Sequence, residues 1–146
     1  MAYIQGPAPD LSTLTVGDEV AQAEFLVTRD SLVRYAGASG DFNPIHYRDD
    51  VAEFVGLPGV LAHGMLTMGI AVQPVVDWAG DPARIVDYQV RFTRPVVVDP
   101  NDGATLSVTA KAAVIDADNA RVRIDIVATV AGQTVLGKAQ AWVSLA

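Results

Sequence analysis

A chain of 146 residues, 51% hydrophobic and 18% charged, has enough apolar material for one buried core and is too apolar to be disordered. It contains no cysteine, which removes disulfides, thiolate nucleophiles and cysteine-ligated metals and suits a cytoplasmic setting. A net charge of −7 argues against nucleic acid as a bulk partner, while a local arginine cluster can still hold an acidic ligand.

Met1 to Pro9 carries neither a basic segment nor an apolar run, so no secretory signal is expected there. Val20 to Val27 reads as a first strand. Thr28 is placed to cap a helix beginning Arg29-Asp30-Ser31, with Leu32, Tyr35 and Ala36 spaced for one buried face. Gly37 and Gly40 end that helix. Asp49 or Asp50 is placed to cap a short helix from Val51 to Val55, stopped by Gly56 and by Pro58-Gly59.

The most apolar region, Val60 to Val76, contains His63, Gly64, Thr67, Gly69, Gln73 and Pro74 and is short for a membrane span of roughly 20 residues. Within it, Gly64 to Trp78 is apolar almost all round, which predicts a helix enclosed by other structure, with Pro74 marking a kink or an early stop. Beyond it the period changes to two. Ile85 to Val97, Ala104 to Ile115, Ala120 to Ala131 and Thr134 to Leu145 read as strands, separated by turns rich in Asp, Asn and Gly. Links this short force antiparallel pairing. The sum is a single α+β domain over residues 1–146, one buried helix against a four- or five-stranded sheet, with no internal repeat or linker.

Between the first two helices lies the stretch that carries chemistry, Tyr35-Ala-Gly-Ala-Ser-Gly-Asp-Phe-Asn-Pro-Ile-His46. Asp41, Asn43 and His46 cannot share a helical face, because Pro44 interrupts any helix between them. A carboxylate and an imidazole on one constrained loop point to proton transfer near neutral pH. Alone, Asp41 would be a turn residue and His46 a structural histidine; together at these spacings they read as a site. Ser39 reads as a turn serine bonded to backbone, and Tyr35 as a ring packed under the loop. Met65, Leu66 and Met68 read as core. A metal held by His46, His63 and a carboxylate finds no support in ligand spacing, so no metal is expected.

These residues resemble the MaoC-like branch of the hotdog fold, the (R)-specific enoyl-thioester hydratases and (3R)-hydroxyacyl dehydratases. The loop carries the resemblance in Gly40-Asp41, Asn43-Pro44 and His46, and Ala62-His63-Gly64-Met65 resembles the opening of the family's central helix. Residues 62–70, Gly80-Asp-Pro82, Val90-Arg-Phe-Thr93 and Pro100-Asn-Asp-Gly103 are similar to the B-type subunits of mycobacterial (3R)-hydroxyacyl-ACP dehydratases. The resemblance implies an antiparallel sheet wrapped around a long central helix, with Asp41 and His46 as the catalytic pair and Asn43 orienting the loop. It further implies a backbone amide at Gly64 that holds the thioester oxygen, a place where a helix N-terminus offers free N–H groups. His63, Arg91 and Arg94 become candidate contacts to substrate or carrier, His63 with a structural role at the helix start as the plainer reading.

The implied reaction dehydrates a 3-hydroxyacyl thioester, or hydrates a trans-2-enoyl one, on CoA or the phosphopantetheine of an acyl carrier protein, with no cofactor of its own. His46 is assigned the C2 proton and Asp41 the hydroxyl, although the reverse assignment and a single shared water also fit. A homodimer and a heterodimer with a related subunit are both implied. A hotdog thioesterase, a degradative CoA-linked hydratase and a non-catalytic partner subunit are the alternatives.

Overall fold

The computed structural model describes residues 6–146. Strand β1 (Glu19–Val27) leads into helix α1 (Arg29–Ser39), then a 3-10 turn (Pro44–His46), helix α2 (Asp49–Phe54) and the long helix α3 (Gly64–Ala79). Strands β2 (Ile85–Phe92), β3 (Ala104–Asp116), β4 (Arg121–Val130) and β5 (Gln133–Ser144) complete one antiparallel sheet in the order β1-β3-β4-β5-β2. The expected α+β architecture, a sheet curled about one central helix, is therefore present with five strands.

Alternation builds the core. Leu106, Val108, Ala110 and Ala112 of β3 and Val122, Ile124, Ile126 and Ala128 of β4 all point inward. They meet Ala71, Pro74, Val75 and Ala79 on one face of α3. Small residues on both sides let helix and sheet approach closely.

Thr28 caps α1 as expected. Its side chain accepts from the Ser31 backbone N–H and Ser31 reciprocates, a full capping box. The cap of α2 differs from expectation. The helix begins at Asp49, Arg48 occupies the N-cap without a side-chain bond, and Asp49 and Asp50 sit in the first turn, where the helix dipole favours acids. Asp49 is also held by a two-pronged bond to Arg29, which keeps its carboxyl below the usual carboxylate range. That pair ties α1 to α2 across the loop.

Three further expectations are corrected. Helix α3 runs through Pro74 without stopping and closes on the left-handed Gly80 at φ 75°. It is also not enclosed all round: Met65, Gly69, Gln73 and Asp77, four residues apart, form an outward stripe, with Met65 58% exposed rather than in the core. Strand β2 ends at Phe92 rather than running to Val97. Pro95 has no N–H for a ladder, Thr93 turns its N–H to the Val135 carbonyl, and the chain then pairs with residues 60–62 through Ala62 N–H to Val96 O (2.8 Å) and Val98 N–H to Val60 O (2.9 Å). No helix among the described residues is long and apolar enough to cross a membrane.

One side chain ties α3 to the sheet: the Tyr88 hydroxyl of β2 donates to the Met68 carbonyl at 3.0 Å. Burial pushes this phenol up from 10.0 to about 12. Below pH 10 the phenol is neutral folded and unfolded; above it, only the unfolded phenol ionises, so its contribution is lost as pH rises towards and through about 12. Tyr88→Phe is expected to lower stability by about 1 kcal/mol at pH 7. It should also flatten the alkaline decline, as urea unfolding at pH 7 and between pH 10 and 12 will show.

Candidate active site

The loop after α1 is stitched by its own side chains. Gly40 closes the helix in the left-handed region at φ 77°, which a side chain would resist. The Ser39 hydroxyl donates to the Tyr35 carbonyl (2.7 Å) and accepts from the Asp41 N–H (3.2 Å), the turn role expected of it. Asp41 Oδ1 accepts from the Asn43 N–H and Asn43 Oδ1 from the Ile45 N–H, both at 3.2 Å. Successive side-chain caps of this kind hold a backbone that Pro44 has already stiffened. Asn43 caps the 3-10 turn whose last residue is His46.

His46 is 9% exposed, and its orientation comes from a distant backbone group. Its Nδ1 lies 2.7 Å from the Leu61 carbonyl. A carbonyl only accepts, so Nδ1 carries the proton, and in the neutral ring Nε2 presents a free lone pair. That Nε2 faces Asp41 Oδ2 across 3.9 Å. The gap is too long for a direct hydrogen bond, yet one oxygen about 2.8 Å from each fits between them. Asp41 thus has one carboxylate oxygen fixed by backbone and the other, with the side chain half exposed, aimed at the imidazole.

A cavity of about 340 Å³ opens beside His46 and reaches Gly64, Thr67, Phe92, Arg94 and Leu136. Asp41 is not among the residues lining it and approaches it only through His46. Among the lining residues is Gly64, where α3 starts with no side chain capping its N-terminus. The first N–H groups of a helix have no intrahelical partner, so this end offers donors and a positive dipole. The Phe92 ring lies against Gly64, close enough that a methyl group there would sit 3.1 Å from its Cε1.

Of the other candidates, His63 is in the site: it stacks on His46 with ring centroids 3.8 Å apart and meets the Tyr35 ring edge-on at 4.8 Å. Arg94 lines the cavity and donates to the Thr134 carbonyl at 2.9 Å. Arg91 lies on β2 opposite Gly137 and is not part of that lining. Asp41, His46 and His63 bring ligand atoms within 4.8 Å of one another, closer than their spacing in sequence suggested. The two imidazoles lie stacked and only 23° from parallel, so their in-plane lone pairs do not converge as tetrahedral ligation needs. Phe92 and the Leu61 carbonyl are the contributors that residue type alone did not reveal.

The MaoC-like domain model matches residues 12–131. The chain belongs to this family. It is 36% identical over 77 residues to 3-hydroxyacyl-thioester dehydratase X of Mycobacterium tuberculosis, covering 53% of this chain and 26% of that protein. Among solved structures, a MaoC-like dehydratase superposes with a TM-score of 0.92 at 34% identity, over 95% of this chain and 43% of the other. The (R)-hydratase PhaJ1 of Pseudomonas aeruginosa does so with a TM-score of 0.78 at 26% identity, over 91% and 83%. The fold expected of a MaoC-like chain is thus the fold found. This MaoC-like chain spans less than half the length of the first two of these relatives.

Proposed function

We propose that this MaoC-like chain is a hydro-lyase that interconverts (3R)-hydroxyacyl and trans-2-enoyl thioesters in cytoplasmic fatty-acid metabolism. The observation that carries the reading is Asp41 Oδ2 facing Nε2 of His46 across 3.9 Å, with His46 lining a cavity that reaches Gly64 at the start of α3.

In the dehydrating direction His46 Nε2 takes the C2 proton, and the C2–H electron pair moves into the thioester as an enolate. The N–H groups at Gly64 stabilise the negative charge that gathers on the thioester oxygen. The C3–O bond then breaks, and Asp41, which enters this direction as the carboxylic acid, delivers the proton that lets the oxygen depart as water and is left as the carboxylate. The proton on His46 returns to Asp41 across the gap that one oxygen bridges, which restores both groups. Hydration is the same sequence reversed. Elimination of water is redox-neutral, so the reaction itself asks for no redox cofactor.

The substrate is carried on CoA or on the phosphopantetheine of an acyl carrier protein, with Arg94 at the cavity placed to meet an anionic group of the carrier. A second hotdog subunit, identical or related, covers the outward stripe of α3, where Met65 stands 58% exposed beside Phe25, Leu66 and Ile70.

The test follows absorbance at the conjugated thioester as the protein hydrates trans-2-enoyl-CoA and trans-2-enoyl carrier-protein substrates of short and long chain. Loss of the conjugated band with formation of the (3R)-hydroxy product is expected. Release of free thiol instead would make the protein a thioesterase. No turnover on either carrier, alone or with co-expressed related subunits, would overturn the proposal.

A further inference from the structure

His63 is the one deeply buried titratable side chain in the described core to which the chemistry above gives no task, at 1% exposed. Its Nε2 lies 3.1 Å from the backbone carbonyl of Asp41. As with His46, a carbonyl partner fixes the tautomer: Nε2 carries the proton and Nδ1 is left with a bare lone pair. That Nδ1 is buried and has no hydrogen-bond partner among the described residues. A buried polar atom left unsatisfied destabilises the fold, because its lost hydration is not replaced. A purely structural residue at a helix start would not carry that cost, since an apolar ring or a capping side chain would fill the place without it.

Three contacts show what the residue does in return. The Nε2–H bond fixes the backbone at the residue whose carboxylate works. The flat face of the ring supports the imidazole of His46 at 3.8 Å. The backbone of His63 is the N-cap of α3, its carbonyl taking both the N–H (3.1 Å) and the hydroxyl (3.2 Å) of Thr67. The carboxylate and the imidazole come from one loop and the helix N-terminus from another segment, and His63 joins the two.

We propose that His63 is a positioning residue for the hydro-lyase reaction, its Nε2–H and ring face setting the distance between Asp41 and His46 relative to the amides at Gly64. This rests on the function proposed above. The residue acts through others and touches no reacting atom in this role. Its loss is therefore expected to lower kcat while leaving KM nearly unchanged.

Two substitutions separate the contacts. His63→Phe keeps a flat ring against His46 and loses the donor; His63→Gln places an amide N–H near the position of Nε2 and loses the ring. With enoyl-CoA as substrate, His63→Phe is expected to lose about 10–100-fold in kcat, the usual cost of removing an orienting partner, with KM within about twofold. His63→Gln should recover most of that loss. Equal activity of His63→Phe and the wild type, or equal losses in the two variants, would overturn the assignment.

A second readout does not depend on turnover. Amide hydrogen exchange over residues 39–46 should speed up in His63→Phe and stay near wild type in His63→Gln. Imidazole ¹⁵N chemical shifts of the wild-type protein should place the His63 proton on Nε2; a proton on Nδ1 overturns the proposal whether or not the variants fold. Absent turnover by the wild type would sink the hydro-lyase reading, while exchange and tautomer would still decide the role of His63.

Discussion

Asp41→Asn is expected to lower the hydration rate by about 10³-fold while the protein melts within a few degrees of wild type. Asparagine is the same shape, and its Oδ1 can go on accepting the Asn43 N–H that the aspartate accepts at 3.2 Å. The loop therefore keeps its form and the substitution removes only a group that exchanges protons. His46→Asn makes the matching change on the other side. The asparagine amide can still donate to the Leu61 carbonyl, taking over the 2.7 Å bond of Nδ1, while nothing remains at the position of Nε2. A similar loss is expected. Because the two groups pass one proton between them, the double variant should be little slower than the slower single one, as in other catalytic units whose members fail together. Stopped-flow or steady-state absorbance on enoyl-CoA settles it. Either single variant retaining more than about a tenth of the turnover would remove that residue from the chemistry.

The features legible in the sequence are those fixed by local physics. Thr28 and Ser31 form their capping box from neighbours three residues apart, and the alternation of Val122, Ile124, Ile126 and Ala128 needs only the pleat of a strand. The Asp41–His46 pair was legible because Gly40, Asn43 and Pro44 constrain twelve residues of chain by themselves. What escaped depends on partners far away. Strand β2 stops at Phe92 because residues 96–98 find better partners at 60–62, thirty-odd positions back. The tautomer of His46 is fixed by the carbonyl of Leu61, a group every residue type carries alike. His63 gave no sign of stacking on His46, since 16 intervening residues must fold first. The exposed stripe of α3 misled for another reason: Met65 and Gly69 are apolar as a core demands, and the periodicity cannot distinguish a sheet from a second subunit as the cover.

Gly64→Ala provides the test of the helix N-terminus, and its two readouts are expected to part company. The methyl would stand 3.1–3.3 Å from three carbons of the Phe92 ring. Phe92 is 54% exposed and closes the cavity from one side only, so its ring has somewhere to go. Thermal stability should therefore change by no more than a few degrees. Activity should not survive as well. A thioester oxygen can reach a backbone N–H closely only where no side chain stands beside it, and losing one such donor typically costs about 10²–10³-fold in kcat. The displaced ring is the competing explanation, because Phe92 also bounds the space an acyl chain would enter. Adding Phe92→Leu to Gly64→Ala gives the methyl room and separates the two. If the double variant stays slow while Phe92→Leu alone remains active, the loss lies at the amide, where charge gathers in the transition state. Recovery in the double variant would assign the loss to the ring and leave the helix N-terminus without its catalytic role.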